Sequence, residues 1–344
     1  MEEIFGYGES EPIQVSVEYI INLRTSTVFR AYVIYIDIIS VLALLISVYT
    51  AHQLIKKQVF SRSITHLLVA SLIYGLLHNI SYTSIETWSL YRSFAYPNNA
   101  SAMMFTSQEC FVQHVFNSCV RFLFLAAELA LNVDRIIVIM FRRFSQCYPS
   151  LRGEVLNFLA VVISFALGCI LHLDGPRSGV MTTSCFRETD ITINLETTNL
   201  TSYTVLAFGC ALLDLSMMWH TWNDRKKSEY DLKSKYLKIE QHFSLLAVSL
   251  NSLVQLFVTT TYTISMYVLA KVSAQDPERG NANLLRWFYT TPYSTLLAPI
   301  ILSLFINWIG RRRTRQISRV TRESITQDSY FNQLYTVWKI PSQP

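Results

Sequence analysis

One stretch of the chain decides the fold class: residues 243–270 read FSLLAVSLNSLVQLFVTTTYTISMYVLA and contain no Asp, Glu, Lys or Arg. A helix needs roughly 20 mostly apolar residues to cross the hydrocarbon core of a bilayer, so this stretch is long enough to span a membrane. Six further apolar stretches follow one another along the 344 residues. We therefore predict an all-α membrane protein, a seven-transmembrane helix bundle with spans at about 31–54, 63–90, 110–140, 154–173, 200–223, 241–270 and 284–309.

The connections between these spans alternate between basic and nearly non-basic. Four connections contain 19 Lys and Arg in total, and the four on the opposite side contain 6. The basic set comprises residues 56–62, 141–153, 224–240 and 310–344, and the other set comprises residues 1–29, 91–109, 174–199 and 271–283.

This asymmetry predicts the direction of the chain, because basic connections stay on the cytoplasmic side of a membrane. We expect an extracellular N-terminus over residues 1–29, a seven-helix transmembrane domain over residues 30–310 and a cytoplasmic tail over residues 311–344. The first 29 residues lack the pattern of a cleaved signal peptide, so the first span is expected to act as signal and anchor.

Composition excludes several classes of function. Charged residues make up 15% of the chain, against about 25% in soluble proteins. The net charge of +5 is concentrated at the ends of spans, where it interacts with anionic membrane lipids rather than nucleic acid. The chain contains no His-Glu-x-x-His, Gly-x-Ser-x-Gly, phosphate-binding Gly-rich loop or Cys-x-x-Cys. We expect no enzyme activity, no metal site and no cofactor.

Two cysteines and two glycosylation sequons fall in connections assigned to the outside by charge alone. Cys110 lies at the outer end of the third span and Cys185 lies in the second outer connection, so we predict a disulfide between them. The sequons at Asn99 and Asn199 are predicted glycosylation sites. Asn79 also begins a sequon, but it lies deep in the second span and should be unmodified.

The third span carries polar side chains at helical spacing: His114, Asn117, Arg121, Glu128, Asn132 and Arg135. They share one helical face, and that face must point into the bundle because charge exposed to lipid is costly. Arg121 lies near the middle of the membrane and needs a counter-charge. Asp214 in the fifth span is the first candidate, with Asp37 and Glu128 as weaker ones. The stripe has two interpretations, a ligand contact or an ion pair that holds the helices in register.

Aromatic side chains are concentrated in the outer half of the bundle. They either line an outward pocket or form the aromatic belt that is common at membrane interfaces. The set comprises Tyr203, Tyr262, Tyr267, Trp287, Tyr289 and Tyr293. Combining the polar stripe with these aromatics, we predict ligand contacts at His114, Asn117, Arg121, Asp214 and Tyr262.

The third span ends with Asp134-Arg135 on the cytoplasmic side. Such a pair can alternate between an internal latch and an exposed state that receives a partner. Viewed alone, it is more typical of an Arg that extends to the interface beside an acid. The basic cluster at residues 311–320 is interpreted either as a short helix on the inner leaflet or as a charge cluster that ends the last span.

Taken together, the outer N-terminus, the seven spans, the Cys110 and Cys185 pair and Asp134-Arg135 resemble a G-protein-coupled receptor. The chain departs from the rhodopsin-like pattern at Thr290-Thr291-Pro292-Tyr293, which replaces Asn-Pro-x-x-Tyr. It is more similar to the nematode serpentine chemoreceptors of class alpha-beta and the neighbouring class alpha. That resemblance rests on Asp134-Arg135, on residues 235–240 (KYLKIE) and on Leu297-Ala298-Pro299.

The resemblance implies a chemoreceptor of the plasma membrane, expressed in sensory neurons, that binds an extracellular small molecule or peptide. It also implies signalling through a heterotrimeric G protein, with Asp134 and Arg135 at the coupling site. The alternative is a ligand-gated channel or a small-solute carrier that uses the polar face of the third span as its path.

Overall fold

The computed structural model describes residues 17–141, 149–173, 181–182, 185, 191–225, 232–275 and 287–338. Within these residues the chain is almost entirely helical, with one two-stranded antiparallel pairing. The elements are, in chain order, α1 (Val17–Thr25), α2 (Thr27–Lys57), α3 (Arg62–Ala95), α4 (Ala100–Met103), β1 (Phe105–Thr106), α5 (Ser107–Met140), α6 (Pro149–Ile170), β2 (Met181–Thr182), α7 (Ile191–Arg225), α8 (Leu232–Gln275) and α9 (Thr291–Trp338).

Seven of the described helices are long, and each overlaps one predicted span. Six of them are long and apolar enough to cross a membrane, namely α2, α3, α6, α7, α8 and α9. The seventh, α5, carries the polar stripe and packs against α3, α6, α7 and α8. The predicted all-α bundle of seven membrane helices is therefore confirmed. The direction of the chain across the membrane stays a prediction.

Three helices extend furthest beyond the predicted spans, because neither Gly nor Pro interrupts the polar residues beside them. Helix α7 begins at Ile191, so Asn199 lies within a helix rather than in a connection. Helix α8 begins at Leu232, inside the predicted basic connection. Helix α9 continues to Trp338, so the basic residues 311–320 extend the last helix and do not form a separate one.

The two ends of the bundle differ in chemistry. We call the end that contains Cys110 the disulfide end and the end that contains Arg135 the basic end. Cys110 is bonded to Cys185, as predicted, and both sulfurs are buried with Ile85 and Phe105. β1 and β2 pair beside this bond, with Phe105 opposite Thr182.

A capping box fixes the start of α5 at the disulfide end. The Thr106 hydroxyl accepts a hydrogen bond from the Glu109 backbone N–H, and the Glu109 carboxylate accepts one from the Thr106 backbone N–H. These reciprocal bonds satisfy two backbone donors that a helix start otherwise leaves unpaired. Arg92 on α3 donates a further hydrogen bond of 3.1 Å to Glu109, which connects α3 to the start of α5.

Helix α6 approaches its neighbours closely at two glycines. A Cβ atom added at Gly153 would lie 2.9 Å from the backbone of Ser63 on α3. A Cβ atom added at Gly168 would lie 2.9 Å from the backbone of Cys119 on α5. Small residues at such positions allow helix backbones to approach within a membrane. They place α6 against both α3 and α5.

The core changes character along the bundle. Toward the basic end it is aliphatic, with Leu67, Leu131, Val248 and Ile306 from four different helices. Toward the disulfide end it is aromatic, and its buried members include Tyr32, Tyr82, Tyr262 and Tyr289. The hydroxyl groups of these tyrosines require hydrogen-bond partners within this half of the bundle.

Candidate functional site

A cavity of about 70 Å³ lies among α3, α5, α7, α8 and the start of α9. It is smaller than the sites that take drug-sized ligands, which measure about 300–1,000 Å³. Its lining includes His78, Arg121, Phe124, Tyr203, Gln255, Thr259, Tyr262, Tyr289, Thr290 and Ser294.

Tyr289 is the centre of the aromatic wall of this cavity. Its hydroxyl is 2.7 Å from Nε2 of His78, and its ring centroid is 4.5 Å from that of Tyr82 and 5.2 Å from that of Tyr262. The Tyr82 hydroxyl in turn shares a hydrogen bond of 2.6 Å with Tyr32. This network connects α2, α3 and α8 to the segment before α9, and it fixes the shape of the wall.

Arg121 brings a positive charge to the cavity. Its guanidinium carbon is 5.7 Å from the Tyr289 ring centroid, which is cation–π distance. The predicted contacts Arg121 and Tyr262 both line the cavity. The aromatic residues for which the sequence predicted either a pocket or an interfacial belt do not all have the same position. Tyr203, Tyr262 and Tyr289 line the cavity, whereas Tyr267 is exposed on the outside of α8.

The other predicted ligand contacts lie outside the described lining. His114 stacks on His172, which follows α6, with ring centroids 6.4 Å apart. Asn117 is buried one turn from Arg121 on α5. Asp214 accepts a hydrogen bond of 2.6 Å from the Ser252 hydroxyl. The role of these three residues in ligand binding stays a prediction.

Asp214 lies closer to the basic end than the sequence suggested. It is near the buried Glu128 carboxyl and within electrostatic range of Arg135. Glu128 is two turns beyond Arg121 on α5, which corresponds to roughly 10 Å along the helix axis. Asp37, the other distant candidate, accepts hydrogen bonds of 3.1 and 3.2 Å from the Thr87 hydroxyl. The structure thus gives both aspartates hydroxyl donors on neighbouring helices.

The second functional feature is a buried ionic cluster around Asp134 at the basic end. The Asp134 carboxylate accepts hydrogen bonds from Ser63 at 2.6 Å, from Arg152 at 2.5 Å and from Arg135. These donors come from α3, α6 and α5. Asp134 has no exposed surface, so this fixed carboxylate holds three helices together.

Arg135 extends this cluster to a fourth helix. Besides its contact with Asp134, its guanidinium donates a hydrogen bond of 2.7 Å to the Ser244 hydroxyl on α8. Arg135 is only 3% exposed, so its charge is enclosed in this conformation. The latch role of Asp134-Arg135 stays a prediction.

Sequence reasoning missed Ser63, Arg152 and Ser244, and it also missed His78 and Gln255 in the cavity. Arg152 entered only as one of the basic residues that set the topology. His78 and Gln255 offered one available signal, because each is a hydrogen-bonding side chain within a predicted span.

Comparisons with known proteins identify the family of the chain. The family described as serpentine type 7TM GPCR chemoreceptor Sra matches residues 11–338. The chain belongs to this family. It is 68% identical to serpentine receptor class alpha-32 of Caenorhabditis elegans over 95% of this chain and 97% of the relative. It is 32% identical to class alpha-33 of the same species, over 94% and 98%.

Family membership settles the class of protein. The chain is a serpentine class alpha receptor, the second of the two classes that the sequence resembled. A more distant relative, class alpha-10 of Caenorhabditis briggsae, is 23% identical over 92% of this chain. The chain is therefore a multi-pass membrane protein of a chemoreceptor family, and that family is one of receptors rather than enzymes.

Proposed function

We propose that this receptor binds an extracellular ligand in the cavity and activates a heterotrimeric G protein at its basic end. One observation carries the proposal: helix α5 contributes both Arg121 to the cavity and Arg135 to the enclosed ionic cluster. These residues are fourteen positions apart, which corresponds to roughly 21 Å along a helix. A single rigid element thus connects the cavity to a buried charge.

Helix α8 supplies the movable half of this connection. It contributes Gln255, Thr259 and Tyr262 to the cavity and Ser244 to Arg135. A ligand that binds more tightly when α8 is displaced shifts the population toward that state. The same displacement separates Ser244 from Arg135.

Release of Arg135 would create the partner site. The uncovered guanidinium would lie between α8 and the basic residues of α9, including Arg311 and Arg312, whose side chains are exposed. A cleft edged by cations and opened only in one state suits the C-terminal segment of a G-protein subunit.

The direction of the chain is part of the proposal. We place the disulfide end outside the cell and the basic end in the cytoplasm of a sensory neuron, at the plasma membrane. Asn99 supports this placement, because it is exposed and its side-chain oxygen, not its nitrogen, caps α4. Its amide nitrogen is the atom that carries an N-linked glycan. Asn199 is a second proposed site.

Glycosidase treatment tests the direction. The wild type should shift in mobility on treatment, and the Asn99→Gln variant should lose part or all of that shift. Asn79→Gln is the matched control, since Asn79 is buried within α3 and should carry no glycan. An unmodified receptor that exposes an N-terminal tag only after permeabilisation would contradict the direction.

Nucleotide exchange tests the function itself. The receptor is expressed with a heterotrimeric G protein, and odorants and peptides are screened for stimulated exchange. A stimulated exchange that depends on the receptor is the expected result. A ligand-dependent current in cells without any G protein would favour the channel alternative and would overturn the proposal.

A further inference from the structure

We infer that the cavity binds a small carboxylic acid, that is, a carboxylate on an apolar or aromatic body. The inference rests on the proposed function, because it names the chemical class of ligand for the same cavity. Three features of the lining carry it: the sign of its charge, a buried donor and the chemistry of its walls.

The one charged side chain in the described part of the lining is a cation. Among the described residues that line the cavity, Arg121 is the one charged side chain, and none is Asp or Glu. A guanidinium presents a planar fork of donors that matches the two oxygens of a carboxylate. Electrostatic attraction is stronger within a bundle than in water, because the effective dielectric constant is lower.

Gln255 supplies an independent signal. Its side chain is 4% exposed, and its amide nitrogen Nε2 has no hydrogen-bond partner in the described part of the chain. Buried donors in proteins are nearly always paired, so this one points to an acceptor that arrives with a ligand. Arg121 on α5 and Gln255 on α8 both offer donors to the cavity, and a carboxylate offers acceptors to both.

The walls define the rest of the ligand. Phe124, Tyr203, Tyr262 and Tyr289 present aromatic surface, and Val258 adds an aliphatic patch. These surfaces suit an alkyl chain or a ring. The cavity of about 70 Å³ is too small for a folded peptide, so we expect a ligand of small-molecule size.

Thermal unfolding of the purified, full-length receptor tests the inference with defined probes. The probes are octanoic acid, hydrocinnamic acid and indole-acetic acid, each compared with its methyl ester and with the primary amine of the same skeleton. At least one acid should raise the Tm of the wild type, and its ester and amine should not. Arg121→Gln should weaken the apparent affinity for that acid about tenfold or more, since it removes a charge-assisted hydrogen bond.

Three further variants make the test specific. Gln255→Leu should weaken acid binding while leaving the charge of Arg121 in place. Arg121→Glu should reverse the preference from acid to amine, a gain of binding that misfolding cannot imitate. Arg30→Gln is the matched control, because Arg30 lies over Phe94 outside the cavity lining, and its removal should leave acid binding unchanged.

Four results would overturn the inference: stabilisation by no acid, equal stabilisation by acid and ester, undiminished acid binding in Arg121→Gln, or an equal loss in Arg30→Gln. Failure of the proposed function is distinguishable from these. Acids that stabilise the receptor but stimulate no nucleotide exchange would refute coupling and support the inference. Neutral compounds that stimulate exchange equally in wild type and Arg121→Gln would support coupling and refute the inference.

Discussion

Arg152 on α6 donates a hydrogen bond of 2.5 Å to the carboxylate of Asp134 on α5. Asp134 has no exposed surface and the Arg152 side chain is 9% exposed, so this ion pair is enclosed in the bundle. Through this pair, α6 is bonded directly to Asp134, the residue that contacts Arg135. Release of Arg135 is therefore governed by a helix that contributes no described residue to the cavity lining.

Removal of the ion pair between Arg152 and Asp134 should raise signalling in the absence of ligand. Arg152→Gln removes one of two cationic partners from Asp134, and breaking a buried ion pair costs about 3–5 kcal/mol in the conformation that contains it. We expect higher basal nucleotide exchange than in the wild type at equal surface level. Lys56→Gln removes an exposed charge from α2 at the same end and should leave basal exchange unchanged. Basal exchange at or below the wild-type rate in Arg152→Gln would refute the restraining role.

The close approach of α6 to α5 should not tolerate a methyl group. Gly168→Ala places a Cβ atom against the backbone of Cys119, so one helix must move. Overpacking of this kind costs about 1–3 kcal/mol, and we expect a lower Tm in detergent. Gly209→Ala is the matched control, since nothing lies within 4 Å of the added atom. Equal Tm values for the two variants would contradict the described packing.

Glu109 should make the stability of the disulfide end sensitive to acid. The hydrogen bond from the Thr106 backbone N–H, assisted by Arg92, lowers the pKa of Glu109 below its ordinary value of 4.5. The ionised Glu109 carboxylate therefore contributes fully to folding stability above pH 4.5. This contribution is lost as the pH falls through the lowered, folded-state pKa. Solvent screening reduces this contribution to stability, because the Glu109 carboxylate is half exposed.

Glu109→Gln isolates this charge, because a glutamine side chain still completes the capping box. The wild type should have the higher Tm at neutral pH, and the two Tm values should converge in acid. A difference in Tm that persists unchanged below the lowered pKa would show that the charge is not its source.

Arg121 and Asp214 should act independently. Arg121 lies over Tyr289, whereas Asp214 is bonded to Ser252 about two turns closer to the basic end. We expect the losses of surface expression in Arg121→Ala and Asp214→Ala to add in the double variant, as they do for sites without shared partners. A loss of surface expression in the double variant that is clearly smaller than the sum of the two single losses would support a direct ion pair between Arg121 and Asp214.

The sequence predicted those features that depend on one helix or on one side of the membrane. Helical spacing along α5 was sufficient to place Arg121 and Arg135 on an inward face. Charge asymmetry was sufficient to pair Cys110 with Cys185. The ends of α7, α8 and α9 were less predictable, because a helix can continue into polar sequence when no Gly or Pro stops it.

Contacts between helices could not be predicted in this way. The partner of Asp214 depends on how α7 and α8 are aligned along their axes, and a hydropathy pattern contains no information on that alignment. The same is true of Arg152 with Asp134 and of His78 with Tyr289. Each pair joins residues far apart in sequence, and each appears only when the helices are packed.

The most direct test of the account measures ligand binding and nucleotide exchange together in wild type and Arg135→Ala. The compound used is the one that most strongly raises the Tm of the purified wild type. Because Arg135→Ala removes the hydrogen bond to Ser244 that holds α8 in the enclosed state, we predict that this variant binds the compound with equal or higher affinity and does not stimulate exchange. Exchange stimulated as in the wild type would contradict the account.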